Sequence, residues 1–461
     1  MKPAAPSTLI VGGGIAGIVA ALRARSFGWS VTLVERQPEL GGLLASHRPA
    51  GTDLTFDHGT HIPAATGEAA LDDLLFGGLP AEAWHTFPVL HAGTYWNGRL
   101  SPDSACLDLH TLPESDYQKV LPGLLAVPPA GHRPCRTLAE QLTALYGPAM
   151  WATVFEPVLR KLYGCGAGDL APEAHRLFGL IRFICLDPER TRELKRQSAL
   201  DAKLALHDFR ETAPGVAPLP AHYPRRGGVG RWVEYLAARL VEAGVTVRTN
   251  VALTHLDAAA GTATAADGET FSYDQLNWSL PPAMLLRLTG HLAAATLPPP
   301  RFAKAYLYHF VTDARPAVAS QYVTCFDAAR RSFRVTLYDN LQPGRRGPSR
   351  VTVEVLAPDP AQPSLLPAQA FAELKEMGLL PATARAERHF VQELGPAFPI
   401  QTIGYRAAAA QAAALVAADL PRTRLLGRAA GQGFFMRDVL LDAWRTPGPM
   451  AGAVRQTRAV A

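Results

Sequence analysis

Thr8-Leu9-Ile10-Val11-Gly12-Gly13-Gly14-Ile15-Ala16-Gly17 is the stretch whose reading decides the fold. Four apolar residues form a short buried strand and break into a glycine turn. Ile15 to Arg25 then reads as a helix with Ile18, Ala21 and Leu22 on one face. Val31-Thr32-Leu33-Val34 is the next strand, with Glu35 at its carboxyl end. Gly12, Gly14 and Gly17 fit G-x-G-x-x-G, and an acid about twenty residues on completes the pattern of a dinucleotide site. Gly12 allows the tight turn, Gly14 lets the backbone approach a pyrophosphate, and Gly17 lets helix and strand pack closely. The helix N-terminus at Ile15 and Ala16 offers unpaired N–H groups and partial positive charge to phosphates. Glu35 can accept hydrogen bonds from the adenosine ribose hydroxyls.

Glu35-Arg36-Gln37-Pro38-Glu39-Leu40-Gly41-Gly42 places a second glycine pair just after that acid. Phe56-Asp57-His58-Gly59-Thr60-His61 follows. Together they resemble the FAD-binding opening of the superfamily that holds amine oxidases, protoporphyrinogen oxidases, phytoene desaturases and UDP-galactopyranose mutases. Its "F-D-x-G" element usually lies against the flavin. An NAD-dependent dehydrogenase, with Gly41 and Gly42 in a plain loop, is the alternative on the glycine turn alone.

Later segments extend the resemblance. Tyr223-Pro224-Arg225-Arg226-Gly227-Gly228 opens a helix expected over 231–243, and Val245-Thr246-Val247-Arg248 is a strand before a further strand starting at Val251. This is similar to the superfamily's "Y-P-x-G-G" helix and "G-V-x-V" strand, after which a second valine strand lines the adenine end. Trp278 to Pro282 resembles the step into the substrate domain. Leu425-Leu426-Gly427-Arg428, a glycine-rich loop to Phe435 and a helix expected from Asp438 to Trp444 resemble the C-terminal ending of protoporphyrinogen oxidases and galactopyranose mutases. There the arginine reaches the FAD phosphates and the helix N-terminus points at the flavin pyrimidine, where its dipole favours negative charge. The resemblance implies FAD as cofactor. Its contacts would be Gly12, Gly14, Ile15, Ala16, Gly17, Glu35, Arg36, Gly41, Gly42, Gly59, Val251, Gly427, Arg428 and Asp438, with no metal. Lys304 stands where many amine oxidases hold a water against flavin N5, and is the candidate catalytic residue.

With 461 residues the chain exceeds one ordinary core. The expected fold class is α/β: a Rossmann-type FAD-binding domain interleaved with a substrate domain made of a helical part and an antiparallel sheet. The FAD-binding domain would take residues 1–70, 215–280 and 396–461, and the substrate domain 71–214 and 281–395. The first substrate segment reads as mainly helical, with proline-rich connections such as Val127-Pro128-Pro129-Ala130. Its strongest helical pattern is Met150 to Tyr163, kinked or started by Pro157, with Phe155, Val158, Leu159 and Leu162 as core and Arg160 and Lys161 as solvent-facing charges. The runs 305–311, 333–338 and 350–356 suit the antiparallel sheet.

A hydrophobic content of 48%, a charged content of 18% and a net charge of +5 describe a globular chain that suits an anionic ligand. The densest basic run, Gly344 to Arg350, is broken by Gly and Pro and lacks aromatics, so it reads as a solvated turn rather than a nucleic-acid site. Five scattered cysteines form no C-x-x-C pair, which argues against a zinc site or disulfide framework and suits a reduced, cytoplasmic setting. No run is apolar over the ~18 residues of a membrane span. Peripheral membrane contact stays open, as does the oligomeric state, and the expected partner is a small-molecule substrate.

The first functional reading is hydride transfer from an amine or C–H bond to flavin N5. The alternative is a nucleotide-sugar mutase in which reduced flavin is the nucleophile. That chemistry needs arginines grasping a diphosphate, for which Arg160, Arg176, Arg182, Arg301 and Arg334 are available, with Tyr306, Tyr308, Tyr322 and Tyr338 around it. A third reading makes the FAD structural, in a scaffold without turnover.

Overall fold

A computed structural model describes residues 5–127, 134–206, 218–358, 364–431, 433 and 435–445. The proline-rich connection at 128–130, together with Gln432 and Phe434 of the glycine loop, lies outside them.

Five parallel strands form one sheet in the order Thr246–Arg248, Ser30–Val34, Ser7–Val11, Gln275–Trp278, Thr423–Leu425. Its central strands are mainly apolar because both faces are covered, with Thr8, Gln275 and Asn277 as buried polar exceptions. Leu9, Ile10, Leu33, Val34 and Leu276 are all buried. Helix Ile15–Ser26 buries seven consecutive residues, Ala16 to Leu22. It packs on Ser30–Val34 and is covered by helices Gly230–Glu242 and Met436–Trp444. Those two helices begin one and two residues earlier than the sequence predicts.

A second sheet has seven strands, in the order Ala386–Pro399, Phe302–Thr312, Ser349–Ala357, Ser332–Leu337, Tyr322–Cys325, Ala92–Trp96, Arg99–Ser101. All neighbours are antiparallel except Tyr322–Cys325 and Ala92–Trp96, which run parallel. The last two strands come from the stretch expected to be mainly helical, as does Trp84–Phe87, which pairs with Ala221–Pro224. Ala92–Trp96 is buried at every position, so it carries no period-two signal. Its hairpin turn, Asn97-Gly98, did advertise it: both residues have positive φ, as a two-residue primed turn requires.

The helical part gathers Glu114–Leu125, Leu138–Tyr146 and Glu156–Tyr163 around Leu124, Leu142, Met150, Phe155 and Leu159. The predicted Met150–Tyr163 helix is broken at Trp151–Phe155 by a π-helical turn. Pro157 has no N–H for the i−4 carbonyl, and the wider turn accommodates the missing bond. Phe155, Val158, Leu159 and Leu162 are buried as expected. Arg160 is exposed and pairs with Glu156, whereas Lys161 turns inward. Its ammonium donates to the carbonyls of Cys325, Asp327 and Ser332, each at 2.8 Å, and so clips the helix to the sheet.

Asp57 ties the second sheet to the segment that leads into helix Gly230–Glu242. Its Oδ1 accepts from the Val229 N–H at 2.8 Å, its Oδ2 accepts from the Tyr223 hydroxyl, and its own N–H donates to the Tyr338 hydroxyl at 2.8 Å. Arg350, expected in a solvated turn, is 4% exposed and donates to the Thr55 carbonyl and to Gln342. The Gln342 amide donates in turn to the carbonyls of Pro224 and Gly227. Burial raises the Asp57 carboxyl to about 6, against the bonds from Tyr223 and Val229.

Asp57→Ala orphans the Val229 and Tyr223 donors and is expected to lower stability by about 3 kcal/mol in urea titrations. Because the folded pKa is raised, the group's contribution to stability is full below 3.8, the ordinary aspartate value, and is lost as pH rises through about 6. Asp57→Asn is expected to flatten that part of the unfolding midpoint's pH profile.

Candidate functional site

The glycine turn is built as its spacing requires. Gly12 has φ +103° and donates to the Val34 carbonyl at 2.9 Å. A Cβ on Gly17 would lie 2.0 Å from the Gly12 carbonyl oxygen, so no side chain fits there. A Cβ on Gly14 would meet nothing within 4 Å, which leaves open space before the first turn of helix Ile15–Ser26. Glu35 is anchored at this rim: Oε2 accepts from the Gly13 N–H at 2.7 Å and Oε1 from the Gln37 N–H at 2.9 Å. Gly41, at φ +108°, donates to the Gly13 carbonyl, and Val251 donates to the Glu35 carbonyl. Arg36 and Gly42 are exposed beside them. The structure thus brings Gly12, Gly14, Glu35, Gly41 and Val251 to one rim.

The C-terminal segment crosses this helix start. A Cβ on Gly427 would stand 3.1 Å from both the Ala16 Cβ and the Val439 Cγ1. The Gly427 N–H donates to Asp442 Oδ2 at 2.6 Å. Asp438 accepts from the Phe435 N–H at 3.3 Å and so caps helix Met436–Trp444. Arg428 is exposed.

A second group gathers on the seven-stranded sheet. Gly59 has φ +93°, and a Cβ there would run into the Glu354 carboxylate at 2.8 Å. The Thr60 N–H donates to Glu354 Oε1 at 2.8 Å, and Thr60 Oγ1 lies 2.6 Å from Thr336 Oγ1. Arg334 grips Glu354 through two bonds, Nε to Oε1 at 2.7 Å and Nη2 to Oε2 at 2.9 Å. Burial pulls Glu354 upward, but the Arg334 charge, its hydrogen bond and the Thr60 amide outweigh it and hold the carboxyl below its usual range. His61 is the next residue along, and its buried Nδ1 has no hydrogen-bond partner. Burial lowers its pKa to about 4; Arg334 and Arg428 push the same way, and Glu354 opposes them. His61 is therefore a neutral imidazole within electrostatic reach of Arg334, Glu354 and Arg428. It closes the Phe56–His61 stretch, where the sequence reading stopped at Gly59. Glu354 lies mid-strand, and nothing local marks it.

Lys304 is not brought to this group. Its ammonium is 2.7 Å from Glu393, and both side chains are about half exposed. The water-holding role expected from its position at a strand start has no geometric support in this placement. Among the described residues no group of His, Cys, Asp and Glu is arranged to hold a metal ion. Among them, too, no helix is long and apolar enough to cross a membrane.

Comparisons with known proteins agree with this architecture. A family profile described as an NAD(P)-binding Rossmann-like domain matches residues 10–75. No curated protein matches the chain. A solved structure of reduced UDP-galactopyranose mutase is similar over 96% of this chain and 91% of its own, with TM-score 0.74 and 18% identity. A putative protoporphyrinogen oxidase from Exiguobacterium sp. 255-15 is similar over 96% and 97%, with TM-score 0.63 and 19% identity. A redesigned putrescine oxidase is similar over 96% and 97%, with TM-score 0.60 and 13% identity. The chain shares the fold of these solved structures, with a parallel Rossmann-like sheet and a second, largely antiparallel sheet.

Glu354→Ala leaves the Arg334 charge and the Thr60 amide unmatched and is expected to cost about 3–5 kcal/mol in urea titrations. Adding Arg334→Met is expected to restore much of that loss, because the stranded charge is gone. The lowered pKa of His61 gives stability that is present above 6.5 and lost as pH falls through about 4. His61→Gln is expected to reduce the fall in thermal midpoint across that window.

Proposed function

We propose that this chain is an FAD-dependent oxidoreductase that takes a hydride from a small organic substrate. One observation carries the reading: the open approach to Gly14 at a helix N-terminus, next to a Glu35 carboxylate already fixed by two backbone N–H groups. Those residues fit a dinucleotide. Gly12, Gly14, Ile15, Ala16 and Gly17 would hold the pyrophosphate by backbone N–H groups and the helix dipole. Glu35 would accept from the ribose hydroxyls, and Val251 and Arg36 would border the adenine end. Gly41 and Gly42 would lie along the chain of the cofactor, Arg428 beside its phosphates, and Gly427 and Asp438 at the helix facing the pyrimidine. Gly59 and His61 would flank the ring. When bound, the flavin supplies a two-electron acceptor. The protein's share is to position the substrate and exclude water, and neutral His61 can hold or accept a proton at Nδ1.

A mutase reading has one observation in its favour, the higher TM-score of the UDP-galactopyranose mutase among the three structures named above. The arginine pattern weighs against it. Arg334 is held by two bonds to the buried Glu354 carboxylate. Tyr338 and Tyr308 are buried and committed to Asp57 and to the Leu365 carbonyl.

The test is the visible spectrum of the purified protein, before and after heat precipitation, followed by anaerobic reduction with amines, carbon donors and nucleotide sugars. Flavin bands bleached by an amine or carbon donor are the expected result. A colourless protein that takes up no added FAD overturns the reading. Glu35→Ala is expected to weaken FAD binding by about 1–3 kcal/mol in fluorescence titration. Lys304→Met is expected to leave flavin content and turnover unchanged.

A further inference from the structure

The strand Ser332–Leu337 reaches Asp57 through Tyr338 at one end. At the other end it borders a cavity of about 380 Å3, at the small end of the roughly 300–1,000 Å3 typical of ligand sites. None of its lining residues belongs to the glycine turn or to the His61 group. Four cations from two segments converge on it: Arg160 and Lys161 of helix Glu156–Tyr163, and Arg330 and Arg331 of the loop before the strand. No Asp or Glu is among the lining residues. The remaining lining residues are mostly apolar, Leu162, Phe333 and Leu356 among them, with only a small part of each side chain exposed.

These cations differ in how firmly they are held. Lys161 is a fixed charge, tied to its three carbonyls. Arg160 holds Glu156, and Arg330 holds Glu376, through ion pairs at the cavity's outer edge. The Arg160 and Glu376 side chains are 64% and 49% exposed and their partners Glu156 and Arg330 27% and 29%, and pairs open to solvent on one side are weak. A ligand carboxylate offers these guanidinium groups the same planar, two-oxygen partner that they already hold, with a drier setting behind it. We propose that this cavity is a second ligand site, one that binds a carboxylate with a compact hydrocarbon body. The acid would sit between Arg160 and Arg330, and the hydrocarbon against Leu162, Phe333 and Leu356.

Calorimetric titration of the full chain with octanoate tests this, with octanol and inorganic phosphate as comparison probes. Saturable octanoate binding is expected, weakened by added salt. The Arg160→Gln, Arg330→Gln double variant is expected to lose about tenfold or more in affinity. Arg176→Gln, which alters an exposed arginine away from the cavity, is expected to bind as the parent does. A circular dichroism spectrum matching the parent's keeps the double variant interpretable, since Arg160 is exposed and Arg330 partly buried. Absence of octanoate heat at millimolar concentration overturns the proposal, as does an affinity that the double variant leaves unchanged. Octanol binding as tightly as octanoate removes the acid recognition, and phosphate binding as tightly removes the hydrocarbon subsite. Flavin content plays no part in the readout, so the result stands apart from the oxidoreductase reading.

Discussion

One buried carboxylate ties together segments that the chain keeps far apart. Asp57 joins the loop after the first Rossmann unit, the strand Ala221–Pro224 and the start of helix Gly230–Glu242, while its backbone holds Tyr338 from the second sheet. A charged group in such a place is costly unless its bonds are complete. Here every neighbouring donor is a hydroxyl or a backbone N–H, and Arg350 lies behind the aromatic rings of Phe56 and Tyr338. The position of Gly59 and His61 follows from this joint, because only two residues separate Asp57 from Thr60, which the Glu354 carboxylate grips.

The Glu354–Arg334 pair serves the same loop from beneath. Both residues sit opposite each other in register on neighbouring strands, so their contact is set by the sheet and not by flexible side chains. Glu354 Oε1 accepts from both Arg334 and the Thr60 N–H, and Oε2 accepts from Arg334. Burial first, and then the Arg334 and Arg428 charges, hold the His61 imidazole neutral.

The glycine turn was legible because each part of its job is local: a backbone angle, a missing Cβ or a helix start lies within ten residues of the next. The two-sheet class was legible for a related reason, since apolar and alternating runs report what covers each strand. Four features were hidden by their dependence on distant partners. Ala92–Trp96 is buried on both faces and lost the alternation that would have marked it. Lys161 has the spacing of a solvent-facing helix residue, and only the sheet's carbonyl ends turn it inward. Lys304 has the right place in the chain for a role near a flavin, but strand-end exposure and Glu393 claim its ammonium. Glu354 looks like any strand carboxylate until Gly59 is seen to need its space.

Ser7 bonds Asp274, 267 residues further along the chain, and the parallel sheet gains its edge strand only at Thr423–Leu425. During synthesis the N-terminal strand and its helix therefore emerge long before one of their two flanking strands exists. Such separations slow folding, because the long loop must close before any contact rewards it. The nascent glycine turn has to wait on the ribosome with one sheet edge bare, at risk of pairing with the wrong strand. That exposure follows from nothing more than the order in which this sheet is assembled.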